Sequence, residues 1–483
     1  MQRMRPTFVV VGAGPSGFYS AEALLRAVPD CRVHIIERTA APHGLVRYGV
    51  APDHQKLKQV TAVFDEIASG DRVFLHAGVD IGTDVPLDEI RAHCSAVVLA
   101  TGSAVGRPVG VPGESLRQVF TSAAFVGWYN GHPDHAALAP DLGVSSAVIV
   151  GNGNVSLDVC RLLVRALDDL EVSDIPEPML KEFRSRRIRE VHMLGRSGPG
   201  GVKFSFKEFR QLADLPNVRI CMPQLGTLGD EEWAGISGPD SVRVVQWLKA
   251  NATPVPSIDD DGRLIVNLWF KVVPAEFVGE GKVSAVVVRP SASRGGAEGE
   301  AAITIPCGIA VSCVGFSCRR LAGVPAYSPA GVIENDAGQV LGIDGREVPG
   351  LFVAGWAKRG PTGIIGTNRA DADETVQSLL KRLPQLLDDS TSRSGDLRAL
   401  FEQRGVQTLT HADWRALDHV EKTRGEARGK PREKLLSIDE ARAALRGPLA
   451  ACSDDVMPAT STAACSQRRP SSVSEGLSPY MRA

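Results

Sequence analysis

Gly12, Gly14 and Gly17 stand in G-x-G-x-x-G spacing directly behind the apolar run 8–11, and a second apolar run, 147–150, leads into Gly151, Asn152 and Gly153, with Ser156 at the third small position. Glycines so spaced let a strand turn sharply into a helix and bring backbone N–H groups against a pyrophosphate. The residues beyond each turn distinguish the two. Twenty residues past Gly17, the strand-like stretch 33–36 ends in Glu37. A carboxylate there accepts both ribose hydroxyls and repels a 2′-phosphate, so the first turn is expected to hold FAD or NAD. The second turn leads through a helical stretch, 154–166, to a strand, 190–194, that ends in Gly195 and Arg196 with no acid. A guanidinium suits a phosphate, which points to NADP(H). One such turn alone is a weak signal, and one of the two could be a vestigial turn kept for packing. Two, each between a strand and a helix, are far more specific.

These turns need parallel sheets behind them. The sequence predicts an α/β fold of two Rossmann-like, three-layer, parallel-sheet dinucleotide-binding domains. Residues 1–106 form the first part of the FAD domain, closing on a strand at 96–100, with a Gly/Pro-rich hinge at 106–113. Residues 107–327 form the NADP domain, interrupted by a charged helical excursion, 167–189, and a polar loop, 291–300. Short strands return after Gly331, and a strand at 350–354 precedes a glycine turn and a helix from Asn368 to Leu383. Residues 328–390 are therefore a second part of the FAD domain, which is discontinuous in sequence. A linker at 388–395 leads to a helical C-terminal region, 391–446, with helices expected at 397–403, 412–422 and 438–446, the last capped by Ser437, and a basic loop at 424–434. The Ser/Ala/Pro-rich tail, 447–483, reads as disordered.

Bulk properties narrow the field. The chain has 483 residues, 43% hydrophobic and 23% charged, with a net charge of −2. That balance excludes a general nucleic-acid binder, whose affinity rests on cationic excess. No apolar run reaches the eighteen or so residues of a membrane span. The first strand begins too near Met1 for a secretory signal, so a cytoplasmic location is expected. Nine cysteines lie scattered with no CxxC, which argues against a disulfide relay and against iron–sulfur ligation, and no metal site is read from the pattern. Cys313 and Cys318, the nearest pair, read as small core residues. The sequence leaves the oligomeric state open.

Two further loops are too glycine-rich and apolar for solvated connections: GLVRYGVAPDH at 44–54 and AGWAKRGPTGIIGTN at 354–368. The first suits wrapping a flat ring. The second leads into a helix whose positive dipole end would stabilise the negative pyrimidine edge of a reduced flavin. With GNGNVSLDV at 151–159 and GRSGP at 195–199 followed by residues 204–208, these motifs stand in order. In them the chain, over residues 5–446, resembles the adrenodoxin reductase-like ferredoxin–NADP(+) reductases, two-domain flavoproteins.

The resemblance implies FAD contacts at Ala13, Glu37, Leu45, Ile81, Trp356, Gly363, Ile364 and Ile365, beside the fingerprint glycines Gly12, Gly14 and Gly17. It implies NADP contacts at Asn152, Gly153, Asn154, Val155, Arg196, Glu208 and Gly363, and a functional pairing of His54 with Asp158 near nicotinamide and flavin. Taken singly, Glu37 would be a solvated acid, Arg196 a turn residue, His54 a helix cap and Asp158 a partner for the helix dipole.

Three departures from the family pattern stand out. Arg196 is followed by Ser197 where the family has a second arginine, and Lys203 is the candidate for the missing charge. Ser156 replaces alanine. The stretch after Leu212 lacks a basic run, and Asp230, Glu231 and Glu232 reverse its sign, which leaves the partner surface open; the arginines of 184–189 are either a solvated face or a dock for an acidic partner.

The function implied is electron transfer from NADPH through FAD to a small iron–sulfur ferredoxin, with the cofactors carrying the chemistry and the protein supplying position and electrostatics. Two alternatives remain. One is the NADPH-oxidising flavin subunit of a glutamate synthase-type enzyme, although such subunits carry a cysteine-rich segment ahead of the FAD unit whereas this chain begins at the strand. The other is an FAD/NADP-binding sensor without turnover.

Overall fold

Apolar residues occupy successive positions along strand Thr7–Val11, so both of its faces must be covered, and they are. In the computed structural model, which describes residues 5–229, 233, 235–254, 262–291, 302–389 and 396–447, Phe8 and Val10 enter one core and Val9 and Val11 the core on the opposite face. The strand lies inside a seven-stranded sheet ordered Asn335–Asp336, Gln339–Leu341, Glu347–Val353, Ala96–Leu99, Thr7–Val11, Arg32–Glu37, Val73–Ala77. The last five run parallel and the first two are antiparallel additions. One sheet thus takes strands from both ends of the chain. Its order reverses between Ala96–Leu99 and Thr7–Val11, and a crevice opens at such a switch point, beyond the carboxyl ends of the strands.

The second sheet has six parallel strands: Val119–Thr121, Ile309–Ser312, Ser146–Val150, Glu190–Leu194, Leu264–Trp269 and Val218–Cys221. Ala147 and Ile149 face a core shared with helix Asn154–Val164. Val148 and Val150 face a core built with an antiparallel sheet of Val272–Val278, Ala285–Pro290 and Ile303–Pro306. The second unit is three-layered, but one covering layer is β rather than helical. The two units are joined by a short ribbon in which Val105–Gly106 pairs with Phe316–Ser317. The returning chain enters the first unit's cores at Cys318, ahead of the expected boundary at 327/328.

The C-terminal helices Leu397–Gln403, His411–Glu426 and Ile438–Leu445 are built into the first unit, through Leu400 and Phe401 on one face and Trp414, Leu417 and Ala441 on the other. Ser437 caps the last of them, accepting from Glu440 N. Helix Thr367–Asp389 runs through Pro384, past the end expected at Leu383. The tail after 447, most of the 291–300 loop and of the 388–395 linker, and Asp230 to Glu232 lie outside the described residues. Among the described residues no helix is long and apolar enough to cross a membrane.

Beneath Phe401, His34 Nδ1 and His76 Nε2 meet at 2.9 Å across strands Arg32–Glu37 and Val73–Ala77. Burial pulls His34 down to about 4, with Arg32 adding and Asp396 opposing. Burial pulls His76 down to about 3, with His34 and Arg398 adding and Asp396 opposing. Both rings are neutral in the fold, whereas in the unfolded chain each protonates near pH 6.5. Below that pH the unfolded state binds more protons, so this stabilisation is complete above about pH 6.5 and is lost as pH falls toward 4. The melting temperature should drop across that window by scanning calorimetry, and His76→Phe should make the drop shallower.

Candidate active site

The first glycine turn has no room for side chains. Gly12 has φ +111°, and a Cβ there would lie 2.4 Å from the Ala100 carbonyl oxygen; at Gly17 it would lie 1.9 Å from that of Gly12. Gly14 opens helix Pro15–Ala27 without a side-chain cap, leaving first-turn N–H groups for an anion. It faces Gly44 backbone to backbone, since a Cβ on Gly44 would come 3.0 Å from Gly14 Cα. Glu37 turns its carboxylate onto this loop: Oε2 accepts from Ala13 N and Oε1 from Thr39 N, both at 2.9 Å. A carboxylate offers about four acceptor positions, so capacity remains for ribose hydroxyls.

Residues from the far part of the chain complete this crevice. Gly355 packs so closely on the fingerprint helix that a Cβ would lie 2.0 Å from Ser16 Oγ, and Ser16 Oγ donates to Asn368 Oδ1 at 3.0 Å. Trp356 opens the short helix Trp356–Arg359, its Nε1 donating to Thr362 O at 3.1 Å. Gly363, at φ +82°, and Ile364 are exposed, while Ile365 packs on the first core. Leu45 is half-buried in helix Gly44–Tyr48, and Ile81 is held in the core on the sheet's other face. Segments 12–17, 44–48 and 355–368 thus converge on one cradle, and its glycine-lined backbone fits a dinucleotide.

The second turn repeats the scheme with differences. Gly151 has φ +136° against the Cys313 carbonyl, and Gly153 opens helix Asn154–Val164 with nothing within 4 Å of a Cβ. Ser156 is not a passive substitute for alanine, because its Oγ accepts from Gly153 N at 3.1 Å and fixes the turn. Asn152 Nδ2 is buried with no partner, and Asn152 O accepts from Lys203 N at 3.0 Å. An orphaned donor in a glycine turn fits a ligand acceptor. Asn154 Oδ1 accepts from Ser205 N at 2.9 Å, and Val155 packs on the adjoining core. Arg196 and Lys203 are exposed and have no partner among the described residues. Glu208 lies in the first turn of helix Phe206–Ala213.

Between the two crevices, His54 of the first unit meets Asp158 and Glu208 of the second, with ligand-type atoms of all three mutually within 4.8 Å. The direct hydrogen bond from His54 Nε2 goes to Gln211 Oε1 at 2.8 Å, so Nε2 carries the proton. Asp158 Oδ1 accepts from Arg161 Nη2 at 2.9 Å. Arg161 is buried, and with Arg165 it also holds Asp53, the neighbour of His54. Burial is the largest single influence and opposes the Asp53 charge, but the hydrogen bond and the charge of Arg161, with Arg165 adding, together outweigh it and hold the carboxyl below the usual range. Gln211 and Arg161 escaped the sequence reading, since neither stands in a motif; the one signal available, unused there, was the i,i+3 spacing of Asp158 and Arg161 on a helix.

The arginines of 184–189 divide. Arg184 pairs with Glu171 and Glu177, and Arg186 donates to Leu162 O and Arg165 O at the end of helix Asn154–Val164. These two serve the fold.

Two glycine-turn crevices, unlike in charge and joined by an ionisable cluster, define an oxidoreductase of the two-dinucleotide class. Residues 6–203 match the family model described as pyridine nucleotide-disulphide oxidoreductase. The chain is 38% identical over 468 residues to NADPH:adrenodoxin oxidoreductase, mitochondrial, of Bos taurus, covering 91% of this chain and 92% of the relative. It is 34% identical over 460 residues to NADPH-ferredoxin reductase FprA of Mycobacterium tuberculosis, covering 90% and 98%. The solved structure of Mycobacterium tuberculosis FprA in complex with NADPH superimposes with a TM-score of 0.83 at 32% identity, over 92% of this chain and 100% of that one. The chain belongs to the NADPH:adrenodoxin oxidoreductase family.

The wider family's name refers to disulfides, but the seven cysteines among the described residues are free. Burial pushes the Cys313 thiol up to about 12 and raises that of Cys318, so neither is a thiolate at neutral pH. Replacing both with serine should leave the rate of flavin reduction by NADPH within about twofold in stopped-flow absorbance.

Proposed function

We propose that this protein is a ferredoxin–NADP(+) reductase, an NADPH-dependent flavoprotein that passes electrons to a small iron–sulfur ferredoxin. The observation that carries the reading is the pair of unlike glycine crevices, Glu37 closing one and Arg196 the other, with His54 and Asp158 meeting between them. The similarity to reductases named for NADPH, adrenodoxin and ferredoxin supports the same assignment. When bound, FAD takes a hydride from NADPH and gives up electrons singly, which matches a two-electron donor to a one-electron acceptor.

The chain's own residues position, bind and exclude. Backbone N–H groups of Gly14, Ser16 and Gly17, with Ala13 N–H held by Glu37, and of Asn154 to Ser156 face the two pyrophosphates at helix N-termini. Glu37 takes the adenosine ribose of FAD. Arg196, with Lys203 beside it, takes the 2′-phosphate that separates NADPH from NADH. Leu45, Trp356 and Gly363 to Ile365 shield the flavin from water, with Ile81 behind the sheet as support, and the N-terminus of helix Thr367–Asp389 presents its positive end beyond them. Asn152, Val155, Glu208 and Gly363 make further contacts to NADPH. His54 holds a proton at Nε2 and orders the meeting of the units, with Asp158 fixed by Arg161. A cytoplasmic setting belongs to the same proposal.

Anaerobic addition of NADPH to the FAD-loaded protein should bleach the flavin absorbance, and ferredoxin should restore it with NADPH preferred over NADH. A flavin that stays yellow under NADPH overturns the reading in favour of a sensor. Bleaching without any electron transfer to ferredoxins overturns the partner.

A further inference from the structure

Lys430, Glu433 and Lys434, in the basic segment after helix His411–Glu426, are buried, and they lie where the two nucleotide units meet. Asp174, in the second unit between helices Leu167–Glu171 and Glu177–Arg184, accepts from Lys58 Nζ of the first unit at 2.8 and 2.9 Å and lies 3.2 Å from Lys434 Nζ. The Lys434 side chain is 0% exposed and that of Asp174 2%. Lys434 also donates to Asn130 O at 3.1 Å, and Glu433 Oε1 accepts from Glu177 N at 2.7 Å. Leu435 belongs to the first unit's core, whereas the next residue, Leu436, packs on the second's. Residues 430–436 are rooted in one unit and reach into the other.

Two lysine amines sharing one carboxylate out of water are a poor source of stability, since burial pulls both below the usual lysine range and offsets much of the attraction to Asp174. What such a junction supplies is direction, because its hydrogen bonds hold at one geometry only. The covalent link between the units is slight, the ribbon of Val105–Gly106 with Phe316–Ser317. Side-chain ties must therefore set the angle between them. Two other ties lie beside site residues: Arg38, next to Glu37, grips Asp134 through two bonds of 2.7 Å, and Asp53, next to His54, is gripped by Arg161 and Arg165.

We propose that residues 430–436 are a strap across the two units and that Lys434 and Asp174 are positioning residues, fixing the interdomain angle and with it the alignment of nicotinamide on flavin. This rests on the function proposed above. Misplacement by about 1 Å costs on the order of a hundredfold in rate, so a loosened strap acts on hydride transfer rather than on binding.

In stopped flow at saturating NADPH, Lys434→Met should slow flavin reduction at least about tenfold. It should weaken the long-wavelength charge-transfer absorbance of stacked nicotinamide and flavin, while FAD content and the NADP+ dissociation constant stay within about twofold. Lys434→Arg, which keeps the charge, should recover most of the rate. A wild-type rate and band in folded Lys434→Met overturn the proposal, as does a loss of NADP+ affinity in step with the rate. If Lys434→Met does not fold, Leu436→Ala trims the strap's foothold and leaves every charge; wild-type rate and band there overturn it equally. A wild-type protein that NADPH does not bleach would instead overturn the function itself.

Discussion

Gly17→Ala should purify without colour. A Cβ at residue 17 lies 1.9 Å from the Gly12 carbonyl oxygen, and that oxygen is backbone, so no rotamer change relieves the clash. Gly12 cannot yield either, because its N donates to Ile36 O at 2.7 Å and its own Cβ position is filled by the Ala100 carbonyl. The helix or the turn must move, and overpacking of this kind costs about 1–3 kcal/mol even where neighbours can shift. The whole displacement falls on the first-turn N–H groups, which we propose face the pyrophosphate, so FAD affinity should fall by at least about a hundredfold, read by fluorescence titration of the apoprotein. The second turn supplies the control. Nothing stands within 4 Å of a Cβ at Gly153, so Gly153→Ala should keep its flavin and its fold. It should raise the KM for NADPH if the coenzyme's phosphates rest against that backbone. A yellow Gly17→Ala protein with normal FAD affinity would remove the first turn from the cofactor site.

The contrast between the two turns shows what spacing conveys and what it does not. The glycines, Glu37 and Arg196 were legible because each answers a local demand: a strand that must turn, a helix that must start, a charge at a strand end. The discontinuous first sheet was legible too, since the apolar strand Glu347–Val353 ends in a glycine turn that needed a parallel neighbour. The antiparallel layer over the second sheet was not. Its strands, such as Val272–Val278 and Ala285–Pro290, carry short, mixed apolar runs that become ordered only by pairing with one another and capping Val148 and Val150.

Charged residues misled most. Lys430, Glu433 and Lys434 fall in what read only as a basic loop, and their burial was not legible, because their partners Ile175, Glu177, Asn130 and Asp174 lie some 250 to 300 residues earlier in the chain. An ion pair between distant segments leaves no periodicity in either. For the same reason His54 was placed beside Asp158 by resemblance, while its direct partner, Gln211, came only from the fold.

Arg196→Ala should lower kcat/KM for NADPH by about 10- to 100-fold and leave that for NADH unchanged. The guanidinium is exposed beyond strand Glu190–Leu194 and has no partner among the described residues, so nothing in the fold depends on it. Hydrogen bonds to a charged group contribute about 1.5–3 kcal/mol, and the 2′-phosphate is the one feature that differs between the coenzymes. The loss should appear in KM with kcat little altered, because the 2′-phosphate is held equally in ground and transition states. Ser197 contributes no second charge, which makes Lys203 decisive. Its backbone is tied to Asn152 O of the second turn and its side chain is free to reach the same phosphate. Lys203→Ala should therefore cost about five- to tenfold with NADPH, and the double variant should approach the same kcat/KM with either coenzyme. Raising ionic strength should shrink the effect of both, as befits exposed charges. Equal losses with NADPH and NADH in Arg196→Ala would mean that the arginine supports the turn and not the phosphate. An unchanged NADPH affinity in Lys203→Ala would leave Arg196 to carry the preference alone.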